Sequence, residues 1–143
     1  MSSTESKNIT QSFVNKLTHE VIGAAITVHK TMGRGLLESV YHECMKEELK
    51  RRDINFYTEL TIPAHYFDKK LLVKFRCDLF VENCLVVELK AVRAFTTEFE
   101  AKLLNHMRLL TAPKGILINF NCSNIFYQGQ KTFVNEYFKL LAP

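Results

Sequence analysis

Three side chains near the middle of the sequence are spaced to do chemistry together: Asp78, Glu88 and Lys90. Glu88 and Lys90 are two residues apart in the run Leu85-Val86-Val87-Glu88-Leu89-Lys90, and a strand projects such residues from one face. Asp78 belongs to the preceding strand-like run. Residues 78 and 88 lie symmetrically about Asn83, inside the turn signal Glu82-Asn83, so an antiparallel hairpin centred there sets the two carboxylates opposite each other. Adjacent carboxylates repel, and one would have its pKa raised unless a cation sits between them. Mg²⁺ answers that repulsion with one or two carboxylates, water and substrate phosphate oxygens, and Mn²⁺ accepts the same donors. A lysine alongside can orient an attacking water and stabilise charge developing on phosphorus. The chemistry implied is phosphodiester hydrolysis. Lys74 and Arg76 alternate with their neighbours so as to share the face of Asp78.

A Glu-x-Lys pair is by itself a weak signal, since any solvated strand face can carry one as a surface ion pair. Its setting distinguishes it here. The run LVVELKA is nearly all apolar, and charge on a buried strand calls for a partner or a function.

The elements that must position these residues follow from periodicity. Between Gln11 and Met32 the residues Phe13, Leu17, Val21, Ala24, Ala25, Val28 and Met32 recur at three- and four-residue steps, an amphipathic helix. Gly33 and Gly35 end it with left-handed turn geometry. A second helix is expected from about Leu36 to Arg52, with Leu37, Val40, Tyr41, Cys44, Met45 and Leu49 as its apolar stripe. The period then becomes two. Leu60, Ile62, Ala64 and Tyr66 mark one strand, in which Pro63 predicts an edge position or an irregularity. Leu71 to Phe80 and Leu85 to Lys90 are the next two, with Val73, Phe75, Cys77 and Leu79 on one face of the second, and the third central. Thr96 or Thr97 can cap a third helix reaching Leu110, and Thr97 with Glu100 has capping-box spacing. Phe99, Leu103, Leu104 and Met107 would face inward. Lys114 to Phe120 reads as a buried strand, Ile125 to Tyr127 as a short strand, and Thr132 to Leu141 as a strand start with a helical finish. The resulting core is α-β-β-β-α-β, a sheet covered by helices.

The 143 residues suit one domain, residues 11–143, preceded by a polar arm over residues 1–10. Hydrophobic residues make up 47% and charged residues 24%, with 5 Gly and 3 Pro, which excludes linker-like and collagen-like chains. No run reaches the ~18 apolar residues of a membrane helix, and the polar start lacks a secretory signal, so a cytoplasmic location is expected. The four cysteines, Cys44, Cys77, Cys84 and Cys122, show no zinc-site spacing and read as reduced, mostly buried thiols, with Cys77 and Cys84 flanking the hairpin. The net charge of +4 suits an anionic partner without naming one.

Four segments together resemble the GxxExxY family, a branch of the PD-(D/E)XK, restriction-endonuclease-like superfamily. They are Gly35-x-x-Glu38-x-x-Tyr41, the run RCDLFVENCLVVELKA from Arg76, EAKLLNHM from Glu100 and GILINF from Gly115. The resemblance spans about Leu17 to Phe120. It implies a restriction-endonuclease-like α/β core, with a mixed central sheet flanked by helices and an extra N-terminal helix. It also implies a Mg²⁺-dependent nuclease acting on nucleic acid, DNA foremost, without a membrane. Glu38, Asp78 and Glu88 match the metal-binding carboxylates, and Glu88 with Lys90 the E-x-K pair. The later helix carries Lys102 where the family usually has glutamine, and in the wider superfamily a lysine there also supports the site. His106 stands at a family tyrosine and is read as structural. Tyr41, one turn after Glu38, is read as core.

A reading from a different class keeps the same fold but makes it a catalytically silent module that binds nucleic acid or a protein partner. The sequence leaves oligomeric state open, a homodimer included.

Overall fold

The computed structural model describes residues 8–143; the expected arm at residues 1–10 falls, for residues 1–7, outside the described residues. Thr10 caps helix α1 (Gln11–Met32) by accepting a hydrogen bond from the Phe13 N–H, and Gly33 and Gly35 follow it with φ of 78° and 92°, the left-handed geometry expected of them. Helix α2 (Glu38–Arg51) starts later than Leu36, because the two glycines and Leu37, in extended geometry, form the corner. Both helices pack on one face of a five-stranded sheet through Val14, Val21, Ala25, Tyr41, Met45 and Leu49.

Strands β1 (Phe56–Tyr66), β2 (Lys69–Val81), β3 (Leu85–Lys90), β4 (Lys114–Asn119) and β5 (Gln130–Val134) lie in that order across the sheet. All neighbours are antiparallel except β3 and β4, which are parallel, so the sheet is mixed and β3 is its buried centre. β1 is an edge strand, and its register with β2 shifts between Pro63 and His65, as the missing proline N–H requires. The parallel step needs a crossover, supplied by helix α3 (Thr97–Leu109) on the opposite face of the sheet. There α3 approaches β4 closely at Gly115, where a Cβ would lie 2.7 Å from Met107 Sδ and 2.9 Å from Leu103 Cδ1.

Four local expectations are corrected. Residues 125–127 are the start of a short helix, α4 (Ile125–Gln128), not a strand: the Asn124 side chain accepts from the Tyr127 N–H and caps the turn, overriding the β-propensity of Ile-Phe-Tyr. Of the two expected cap candidates it is Thr96 that caps α3, so only the capping box of Thr97 with Glu100 is overturned. On α3, Leu104 is exposed and His106 takes a buried position beside Leu103 and Met107.

The fourth correction bears on the site. Leu79 belongs to the core under α1 and α2, whereas Cys77 belongs to the core under α3. The alternation of β2 therefore reverses at Asp78. On β1 the same reversal falls at Glu59, whose φ is 50°, between the paired residues Thr58↔Leu79 and Leu60↔Cys77. Phe75 and Cys77 thus face α3, and Lys74 and Arg76 face away from it rather than sharing the face of Glu88. Cys77 and Cys84 end on opposite sides of the sheet, so the hairpin does not bring them together. The last expected segment divides as foreseen into β5 and a short helix, α5 (Glu136–Lys139).

Candidate active site

The β2–β3 ladder pairs Val81↔Leu85, Phe80↔Val86 and Leu79↔Val87, and the turn residues Glu82 and Asn83 are both left-handed, at φ of 49° and 57°. This is the register expected about Asn83. One step further, where Asp78 meets Glu88, backbone pairing gives way to side chains. The Asp78 N–H donates to Glu88 Oε2 at 2.9 Å, and the Leu89 N–H donates to Asp78 Oδ2 at 2.9 Å. Each carboxylate thus satisfies a donor on the other strand, and the strands part around them.

The environments of the two acids differ. Asp78 is half-buried, and its Oδ1 lies 4.0 Å from Nε2 of His42 on α2. Glu88 is 2% exposed, and its Oε1 lies 3.8 Å from Nδ1 of His106 on α3. Burial, and next the charge of Asp78, push the Glu88 carboxyl up to about 7, against the opposing pull of the Asp78 N–H and the positive charges of Lys90 and Lys102. Burial also holds the His106 imidazole below its ordinary value, with Lys102 reinforcing the shift and Asp78 opposing it.

Lys90 ends β3, its ammonium over the Phe99 ring at 4.8 Å from the centroid. Lys102 lies exposed on α3, close enough for its charge to act on both Glu88 and His106. Glu38 is exposed at the first position of α2, one turn before His42 and so on the same helix face; its side chain makes no hydrogen bond or ion pair among the described residues. The fold therefore brings Asp78, Glu88, Lys90 and Lys102 into one electrostatic neighbourhood, to which Glu38 is related only by its place one turn before His42 on α2.

Two groups escape a reading of the sequence alone. His42 is signalled only by its i,i+4 spacing from Glu38. His106 is visible on its helix, but its burial against Glu88 depends on the rotation of α3, which an inward Leu104 would have set differently. The donor set fits a hard divalent cation: two hydrogen-bonded carboxylates side by side, with lysines nearby. Glu88's upward shift comes first from its burial and next from the charge of Asp78.

A mixed sheet with helices on both faces, and a paired Asp and Glu-x-Lys where β2 and β3 part, define a nuclease-type α/β fold. The sequence pattern of the PD-(D/E)XK nuclease superfamily matches residues 15–132, and the chain belongs to that superfamily. Among solved structures, one described as "Crystal structure of SSO0001" is similar in fold, with a TM-score of 0.50 at 17% identity over 94% of this chain and 70% of the other. A comparison with curated proteins gives no match. Among the described residues, no helix is long and apolar enough to cross a membrane.

Proposed function

We propose that the chain is a divalent-metal-dependent nuclease of the GxxExxY branch, using Mg²⁺ or Mn²⁺ to hydrolyse phosphodiester bonds, with DNA as its substrate. The observation that carries this reading is the reciprocal clamp of Asp78 and Glu88 beside Lys90. Asp78 and Glu88 hold the cation, and Glu38 adds a third carboxylate from α2. When bound, the cation supplies charge neutralisation at phosphate oxygens and an acidified water.

The chain's own residues do the rest. Asp78 Oδ2 and Glu88 Oε2 are fixed by backbone donors, so the acids enter the reaction already oriented. Lys90 Nζ, steadied over Phe99, donates to the attacking water and stabilises negative charge growing on the phosphate. Lys102 holds a neighbouring phosphate oxygen from α3. The substrate's backbone also meets the β1–β2 hairpin, which carries Lys69, Lys70, Lys74 and Arg76 with only Asp68 among acids between residues 65 and 76. Its Phe67 and Leu72 are largely exposed, an aromatic and aliphatic tip suited to unstacked bases. The unbridged thiols of Cys44, Cys77 and Cys122 fit a cytoplasmic setting.

The deciding experiment incubates purified protein with single- and double-stranded DNA and RNA in Mg²⁺, Mn²⁺ or EDTA. Cleavage should require metal and vanish in Asp78→Ala. No cleavage by the wild type, or equal cleavage by the variant, refutes the reading.

A further inference from the structure

His106 is fully buried, yet neither ring nitrogen has a hydrogen-bond partner. A buried polar atom left unpaired is costly, so the site calls for a partner. The neighbouring Glu88 does not remove the cost, because 3.8 Å between Nδ1 and Oε1 is beyond hydrogen-bonding length. A third group faces the same space. Cys77 is buried, and its Sγ, one Glu88 carboxylate oxygen and one His106 ring nitrogen all lie within 4.8 Å of one another. Cys77 shares its buried core with Phe80, Val86, Leu103 and Met107.

A thiol, an imidazole and a carboxylate converging on one point are a different donor set from the Asp78–Glu88 pair. Mg²⁺ takes oxygen and rarely binds sulfur. Zinc-class ions favour the mixed set, commonly with three protein ligands and one position left for water. Bonds of about 2.0–2.3 Å in a tetrahedron place ligand atoms about 3.3–3.8 Å apart, so side-chain adjustments on the order of 1 Å close the present cluster onto an ion.

We propose that Cys77, Glu88 and His106 form a second metal site, for a borderline-soft transition-metal ion of the Zn²⁺ class, sharing Glu88 with the hard-cation site. The reversal of β2 at Asp78 creates it, turning Cys77 to the α3 side while Asp78 remains at the strand opening. Because one carboxylate serves both, zinc loading withdraws Glu88 from the catalytic cation. The inhibitory consequence rests on the nuclease reading; the binding does not.

The test is a Co²⁺ titration of the full chain, followed by displacement with Zn²⁺. One equivalent should produce a sulfur-to-cobalt charge-transfer band and the visible bands of a four-coordinate ion, both erased by Zn²⁺. Cys77→Ser and His106→Gln should weaken binding more than about tenfold, while Asp78→Asn and Cys44→Ser retain the band. X-ray absorption on the zinc-loaded wild type needs no variant and should show one sulfur at about 2.3 Å. Only nitrogen and oxygen neighbours, a missing charge-transfer band, or a band lost in Asp78→Asn but kept in Cys77→Ser overturns the site. Should no metal support cleavage while the cobalt spectrum follows this pattern, the nuclease reading fails and the second site stands.

Discussion

Asp78 and Glu88 do not simply lie opposite each other; each accepts a backbone hydrogen bond across the opening between β2 and β3, at 2.9 Å in both directions. The acids are structural pins and charged groups at once. This separates what a substitution does to the fold from what it does to the chemistry.

Asp78→Asn tests that separation. An amide oxygen can still accept from the Leu89 N–H, so the strand opening keeps its pin, while the charge is lost. We expect stability within about 1 kcal/mol of wild type, since the repulsion with Glu88 is removed too. Metal-dependent cleavage should fall at least about a hundredfold. Paired urea melts and cleavage rates would measure both, and a collapse of the fold with proportionate loss of activity contradicts the pinning role.

The pH dependence of stability follows from Glu88 and His106. Glu88 titrates near 7 in the fold against an ordinary 4.5, so the native chain keeps a proton that the unfolded chain releases. The stability linked to that proton is full below 4.5 and is lost as pH rises through about 7, at a cost of roughly 3 kcal/mol at most. His106 is shifted the other way. Below its ordinary 6.5 the unfolded chain binds the proton more readily, so its contribution falls as pH falls. Above pH 7 the loss at Glu88 dominates. Glu88→Gln should therefore stabilise the metal-free protein at pH 8 by about 1–3 kcal/mol and change little near pH 4.5. Denaturant midpoints at the two pH values decide it: a variant less stable than wild type at pH 8 refutes the sign. Mg²⁺ should raise the wild-type midpoint more at pH 8 than at pH 5, because binding displaces a proton.

The register of the Asp78–Glu88 hairpin was legible because period-two alternation and the Glu82-Asn83 turn agree on one centre. The end of α1 was legible from Gly33 and Gly35. The strand faces beyond Asp78 were not. A reversal of alternation leaves no mark in composition, and Glu59, which takes the left-handed conformation on β1, is not a residue type that signals it. Strict alternation therefore puts Lys74 and Arg76 on the wrong face. His106 escapes for a related reason: a histidine on an amphipathic helix looks the same in sequence whether it meets water or a buried glutamate. Only the packing of α3 at Gly115 decides which.

The β1–β2 hairpin gives a prediction about binding alone. Leu72 is 99% exposed, and the basic residues around it hold no packed position that substitution would disturb. Changing Lys69, Lys70, Lys74 and Arg76 together to alanine should alter stability by no more than about 0.5 kcal/mol per site. It should weaken DNA binding and lower the slope of log affinity against log salt by about 0.9 for each phosphate that is no longer neutralised. Affinities measured at several salt concentrations, with Ca²⁺ in place of Mg²⁺ to prevent cleavage, would show this. An unchanged slope removes the hairpin from the substrate path.

Tyr41 separates positioning from contact with substrate. Its ring is buried and stacked on Phe120, with centroids 4.5 Å apart and planes at 5°. Its hydroxyl donates to the Gly33 carbonyl at 2.7 Å and accepts from the Leu36 N–H at 3.1 Å. The hydroxyl thus ties down the corner that leads into Glu38 at the start of α2. Tyr41→Phe keeps the stack and removes both bonds, so we expect a loss of about 1–3 kcal/mol. Tyr41→Ala, which also empties a core position, should cost about 3–5 kcal/mol. Cleavage by Tyr41→Phe should fall less than about tenfold, because the corner loosens without losing a reacting group. The tie predicts that activity recovers as temperature is lowered and the corner re-forms, whereas a hydroxyl that touches substrate predicts a constant deficit. A variant as stable as wild type but as inactive as Asp78→Asn would place Tyr41 in the reaction instead of at its frame.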